Sequence, residues 1–130
     1  MTSNDKSLLE GTKLANFTPR KKPVAELEII DIQEGNGNTV LAGATITAHY
    51  TGALVADGTI FQSSHDFGDP ISFGLDQVIK GWTKGVPGMK VGGVRRLVIP
   101  AIQAYGAHSP SPDIPDNADL VFDIELIAIK

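Results

Sequence analysis

The sequence predicts an α+β fold, an antiparallel β-sheet curled over one short α-helix. Three observations carry that reading. Short strand-like segments recur at close spacing between turns rich in Gly, Asn and Pro. A single helical run, centred on Val78-Ile79-Lys80-Gly81-Trp82, stands among them. The C-terminal segment sets Leu120, Phe122, Ile124 and Leu126 on one face, the alternation of a half-buried strand. Strands in this number with one helix pack as a sheet covered on one side.

With 130 residues, 42% of them apolar, the chain is long enough for one domain with a real core. A net charge of −4 and a pI near 5.2 exclude nucleic acid and anionic membranes as main partners. There is no cysteine, so disulfides, thiolate nucleophiles and cysteine metal sites are excluded. The opening residues Met1 to Lys6 lack the basic-then-apolar plan of a signal peptide. The uncharged stretch Asn36 to Ala56 is too rich in Gly, Asn and Thr to span a bilayer, and it holds His49. A soluble, cytoplasmic, monomeric protein is expected.

Residues 1–23 read as a flexible N-terminal tail, docked in part by Phe17, and residues 24–130 as the folded domain. The basic run Arg20-Lys21-Lys22 reads as a solvated linker, with contact to an acidic partner as the alternative. Ala25 to Glu34 reads as a strand whose alternation changes phase at Ile29-Ile30, which suggests a bulge there. Gly35-Asn36-Gly37-Asn38 is turn chemistry. Thr45 to Tyr50 reads as a strand, broken at Thr51-Gly52 and resumed by Ala53 to Val55. Asp57-Gly58 signals a hairpin into the strand Thr59 to Gln62, and Ile71 to Phe73 is another short strand.

Asp76 is a suitable N-cap, so the helix is expected from there, with Val78, Ile79 and Trp82 on one side. Gly85, Pro87 and Gly88 close it. Arg95 to Pro100 is a strand, and its paired arginines are expected beside acidic side chains of the last strand. Tyr105 to Pro115 is a proline-stiffened loop.

No pair of carboxylates has spacing for acid–base work. His49, His65 and His108 stand on separate segments, so no zinc site is indicated. No Gly-rich phosphate cradle follows a strand. What remains is a scattered apolar and aromatic set: Tyr50, Phe61, Phe73, Val78, Ile79, Trp82, Tyr105, Ile114 and Phe122. If these converge, they line a cavity able to take an apolar side chain or a proline ring. Two readings stand side by side, a plain structural core and a proline-binding catalytic pocket. For Phe73 the core reading is preferred.

The motifs His49-Tyr50-Thr51-Gly52, Gly58-Thr59-Ile60-Phe61 with Ser63-Ser64, Val78-Ile79-Lys80-Gly81-Trp82, Gly85-Val86 with Met89-Lys90-Val91-Gly92, Ala104-Tyr105-Gly106 and Leu120 to Leu126 together resemble the FKBP-type peptidyl-prolyl cis–trans isomerases. They occur in that family's order, from about Ala25 to Ile129. The resemblance implies an FKBP-like half-barrel sheet wrapped around the helix, isomerase activity on proline-containing polypeptides, a role in protein folding, and binding of macrolides such as FK506 and rapamycin. It implies no cofactor and no metal. By the same resemblance Trp82 is the pocket floor, Tyr50, Phe61 and Phe122 its walls, and Val78 and Ile79 its rim. The Ile79 N–H and the Tyr105 hydroxyl are donors to substrate or inhibitor carbonyls, and Ile114 is the apolar residue of the flap.

Three positions depart from the family pattern. Gln62 stands where many members carry Asp, keeping a carbonyl acceptor without the charge. Ile71 stands where some carry a third wall aromatic, and the flap around Pro110 is unusual in sequence and has no room for an inserted chaperone domain. The competing functions are a proline-recognition module without useful catalysis and a plain scaffold domain.

Overall fold

A computed structural model describes residues 8–130. It contains six strands, β1 (Glu28–Gln33), β2 (Thr45–Leu54), β3 (Ile60–Ser63), β4 (Ile71–Gly74), β5 (Val94–Ile99) and β6 (Leu120–Ile129), and one α-helix, α1 (Lys80–Gly85). All pairings are antiparallel, in the order β1-β5-β6-β2-β3, with β4 also on β2. The C-terminal strand is therefore central. The sheet curls over α1 without closing, the architecture the sequence predicts.

The two long strands form the spine, paired from Ile46↔Ile129 to Leu54↔Leu120. On its other edge β2 holds β4 along Thr45 to Ala48 and β3 along Thr51 to Ala53, so those two short strands share one long edge. Between them the ladder has a gap at Tyr50. The Ser64 hydroxyl fills it, accepting the Tyr50 N–H at 2.7 Å and lying 3.3 Å from the Tyr50 carbonyl. A buried side chain thus replaces a missing strand residue.

The concave face carries Ile46, Ala48 and Tyr50 of β2, Leu97 and Ile99 of β5, and Phe122, Ile124 and Leu126 of β6. Helix α1 lies directly on β5 because two glycines one turn apart face it. A Cβ on Gly81 would come within 2.6 Å of the Ile99 side chain, and one on Gly85 within 2.7 Å of Leu97. Gly52 makes similar room, since a Cβ there would meet the Phe122 and Phe61 rings at 2.6 and 2.7 Å. Thr51-Gly52 is therefore no break. The strand continues through it, and the glycine clears space for two rings.

The convex face has its own apolar cluster, in which Leu14 and Val24 pack on Val55, Ile60, Val98 and Val121. Within the segment read as a tail, Leu14 joins Phe17, the residue expected to dock, on this cluster, and residues 1–7 lie outside the described residues. The segment is a strap. Its backbone bonds to the free edge of β3, Gly11 N–H to Ile60 O, Ile60 N–H to Thr12 O and Leu14 N–H to Gly58 O, each at 2.8 Å. Arg96 then clamps it, donating to Asn16 O at 2.7 Å and Ala15 O at 3.0 Å while paired with Asp123 and lying 5.6 Å from the Phe17 ring centre. An extended strap needs no helical or strand period, so its scattered apolar residues gave no periodic signal.

Other expectations shift as well. The irregularity in β1 falls between Asp31 and Gln33, not at Ile29-Ile30, and this edge strand leaves Ile29, Ile30 and Ile32 exposed. Arg96 pairs with Asp123 on β6 as expected, but Arg95 pairs with Asp31 on β1. Asp76 is not the N-cap of α1. The helix begins four residues later with Ile79 as cap, and Val78 and Ile79 precede its first turn. Residues 74–79 instead make turns tied by Gln77 N–H to Gly74 O and by the Thr83 hydroxyl to Leu75 O.

Candidate active site

The open side of the sheet-and-helix layer holds a cavity of about 540 Å³. Trp82 enters it from α1, Tyr50 from β2, Phe61 from β3, Phe73 from β4 and Phe122 from β6. Trp82 is the hub. Its ring meets Phe73 at 4.9 Å, Phe122 at 5.4 Å and Tyr50 at 5.6 Å between centroids, all edge-on. Phe61 meets Phe122 edge-on at 5.8 Å. Such T-shaped pairs place the positive edge of one ring on the negative face of the next, and each contributes about 0.5–1.5 kcal/mol beyond area burial. The rings therefore hold one another in place while leaving a hollow in front of Trp82.

Four of these rings are nearly buried, with Trp82 3% and Phe61 9% exposed at the extremes. Tyr105 projects from the loop after β5 and is 38% exposed. Burial pushes the Tyr50 phenol above the ordinary tyrosine range, with the nearby Tyr105 adding to it, and burial raises Tyr105 as well. Both phenols are thus neutral donors at physiological pH. Neither hydroxyl bonds to another protein group among the described residues. The Ile79 carbonyl accepts the N–H groups of Trp82 and Thr83 at the start of α1. The Ile79 N–H has no backbone acceptor among the described residues, which leaves a donor at the cavity rim.

Eight of the ten site residues named from the sequence line this cavity: Tyr50, Phe61, Gln62, Val78, Ile79, Trp82, Tyr105 and Phe122. Two do not. Ile71 sits opposite Ala48 at the start of β4, packed against the main core. Ile114 is 6% exposed within that core and does not reach the hollow. Phe73, two residues along from Ile71 on the same face of β4, supplies the wall instead, so its reading as plain core is too modest. Gln77 also lines the cavity, and no motif or period in the sequence pointed to it.

The histidines stay outside the cavity lining, but they do not all stand alone. His49 and His65 stack with ring centres 4.1 Å apart, and His49 Nδ1 lies 2.8 Å from the Ser64 hydroxyl that completes the β2 ladder. No carboxylate, histidine or lysine lines the hollow. It is a largely aromatic and aliphatic pocket with amide and phenol groups in its lining and no acid or base, unsuited to hydrolysis and suited to holding an apolar ring.

Comparison with known proteins agrees with this geometry. A family model described as FKBP-type peptidyl-prolyl cis-trans isomerase matches residues 37–127. An FK506-binding protein of Neisseria meningitidis serogroup B is 49% identical over 105 residues, covering 79% of this chain and 95% of the relative. The peptidyl-prolyl cis-trans isomerase FPR2 of Saccharomyces cerevisiae is 49% identical over 92 residues, covering 69% and 68%. Among solved structures, FkpA from Escherichia coli superposes with a TM-score of 0.73 at 42% identity, over 80% of this chain and 48% of that one. AtFKBP13 gives 0.71 at 38% identity, over 80% and 93%. On fold, cavity and sequence together, the chain belongs to the FKBP-type peptidyl-prolyl cis-trans isomerases.

Proposed function

We propose that this isomerase acts on X-Pro bonds in the cavity over Trp82, assists protein folding by doing so, and takes FK506- and rapamycin-type macrolides in the same hollow. The observation that supports the reading is the hub itself: one indole braced edge-on by three rings, with open space in front and no charged group in the lining.

The chemistry follows from the substrate. Rotation about a peptide C–N bond faces a barrier of ~18–20 kcal/mol, because resonance is lost at the twist. No bond to a nucleophile forms and no proton must leave, so a site without acid or base is competent. The planar amide carries charge separation that water stabilises. A dry aromatic pocket withdraws that stabilisation, and the twisted amide loses less on entry. Shape complementarity to the twisted form adds to the preference, and only such differential binding raises the rate. A 10⁴-fold acceleration requires about 5.5 kcal/mol of it.

In this reading Trp82 is the floor under the proline ring, and Tyr50, Phe61, Phe73 and Phe122 are the walls. Val78 and Ile79 form the rim. The Ile79 N–H and Tyr105 hydroxyl donate to carbonyls flanking the proline. Gln62, the exposed residue of β3, offers an amide without charge.

The test is exchange NMR or protease-coupled kinetics on a short X-Pro peptide, with Trp82 fluorescence read during rapamycin addition. Faster exchange, blocked by the macrolide as the fluorescence changes, is expected. Unchanged exchange at micromolar protein overturns the catalytic reading. Acceleration that rapamycin leaves untouched overturns the macrolide reading alone.

A further inference from the structure

A second cleft of about 540 Å³ shares no lining residue with the aromatic cavity. Its walls are residues 20–25 of the strap, 54–56 at the end of β2, and both bases of the loop that carries Tyr105, residues 100–102 and 115–119. We propose that this cleft binds an extended acidic segment of a partner polypeptide.

The cleft is built to be rigid. Asp119 pins three walls together. Its two side-chain oxygens accept the Val24 and Ala101 N–H groups, each at 2.8 Å, and its carbonyl accepts the Val55 N–H at 3.1 Å. Pro23, Pro100 and Pro115 fix φ around the rim, so little ordering entropy is lost on binding.

The charges of the lining are unequal in availability. Asp119 keeps its charge but is held by the Val24 and Ala101 N–H groups, and Asp116 is held by the Ser109 N–H at 3.1 Å. Arg20 is tied to Glu28 by two hydrogen bonds of 2.6 and 2.8 Å. Lys21 and Lys22 are exposed, and among the described residues neither is in an ion pair. The cleft therefore offers two free ammonium groups on a protein whose net charge is −4. In the same lining Ile102 is 83% exposed, an apolar surface that the fold itself does not bury.

Free cations next to exposed apolar surface in a rigid groove match a peptide in which carboxylates alternate with apolar side chains. A nucleic acid is a poorer match. Affinity for a nucleic-acid backbone grows with the number of phosphates that Lys and Arg neutralise, and two lysines on an acidic protein neutralise few.

A proline-free probe keeps the aromatic cavity out of the measurement. A fluorescein-labelled Glu-Leu-Glu-Leu-Glu-Glu peptide is titrated with the full chain by anisotropy, with amide shifts followed by NMR. Saturable binding that weakens with salt is expected, with shifts at Lys21, Lys22, Ile102 and Asn117 and none at Val78 or Ile79. The double variant Lys21→Glu, Lys22→Glu is expected to weaken binding about tenfold or more, and Ile102→Asp to weaken it as well. Both should leave the isomerisation rate of a short X-Pro peptide unchanged. Equal binding of a Gln-Leu peptide, equal binding by the lysine variant, shifts centred on the aromatic cavity, or stronger competition by RNA or anionic vesicles would each overturn the proposal.

Discussion

Gly81 on α1 touches Ile99 on β5 so closely that an added Cβ would lie 2.6 Å from the Ile99 side chain. Two opposing effects meet there. Gly to Ala in a helix gains about 0.8–1.0 kcal/mol of propensity. Overpacking a filled core costs about 1–3 kcal/mol. Because Ile99 is fully buried and its neighbours are core, packing should win. Gly81→Ala is expected to lower stability by about 1–2 kcal/mol and, by tilting α1, to reduce kcat/KM through displacement of Trp82. Thermal melts and peptide kinetics check this, and a more stable variant with full activity would contradict it.

Ser64→Ala removes the hydroxyl that completes the β2 ladder. The Tyr50 N–H is then buried without its acceptor, at a cost of about 1–3 kcal/mol. Amide exchange at Tyr50 should speed up more than at Ile46, which keeps its neighbours on both sides. Tyr50 is one wall of the cavity, so kcat/KM should fall with it.

Phe73→Leu separates wall from core. Leucine keeps the apolar contact with the interior, so stability should change by less than about 1.5 kcal/mol. The ring edge 4.9 Å from Trp82 is lost, and kcat/KM is expected to fall about fivefold. Ile71→Leu, the control on the same strand face, should leave the rate unaltered. Equal effects at the two positions would contradict the placement of the wall.

The phenols set the response to alkali. Burial holds Tyr50 and Tyr105 above the ordinary tyrosine value of about 10. A group raised in the folded state contributes stability that is fully present below its unfolded value and is lost as pH climbs through the folded one. Activity should therefore be flat between about pH 6 and 9, and stability should decline only above about pH 10. The double variant Tyr50→Phe, Tyr105→Phe should flatten that alkaline loss in melts recorded across pH.

Much of this was readable in the chain. The alternation at Leu120 to Leu126 and Thr45 to Tyr50 gave the strands, because a sheet with one face on the core imposes period two. Scattered aromatics gave five of the cavity residues, Tyr50, Phe61, Trp82, Tyr105 and Phe122, and Gln62, Val78 and Ile79 came with the family resemblance. The misses have physical causes. Asp76 has real capping chemistry, but the turn at residues 74–79 and the Thr83 hydroxyl bond to Leu75 O delay the helix to Lys80. Gly52 looks like a breaker, yet its role is clearance for Phe61 and Phe122, a tertiary demand that local pattern cannot express. Ile71 and Phe73 share a strand face, so only the distance to Trp82 decides which one is a wall. Beyond Phe17 the docking of the strap left no signal, because a segment held by backbone bonds, one arginine and a few scattered apolar side chains has no repeat.

The placement of β6 carries a consequence for synthesis. The last strand of this domain to be made is the middle of the sheet, lying between β5 and β2. The first described residues wait as well, since Arg96 must be present before it can grip Asn16, and Asp119 before it can accept from Val24. A nascent chain that has not yet made β6 would have no spine, since both β2 and β5 pair with it. Contacts this distant in sequence close slowly, in about milliseconds to seconds. An isomerase domain of this topology can complete its sheet only after its last strand, β6, has been made.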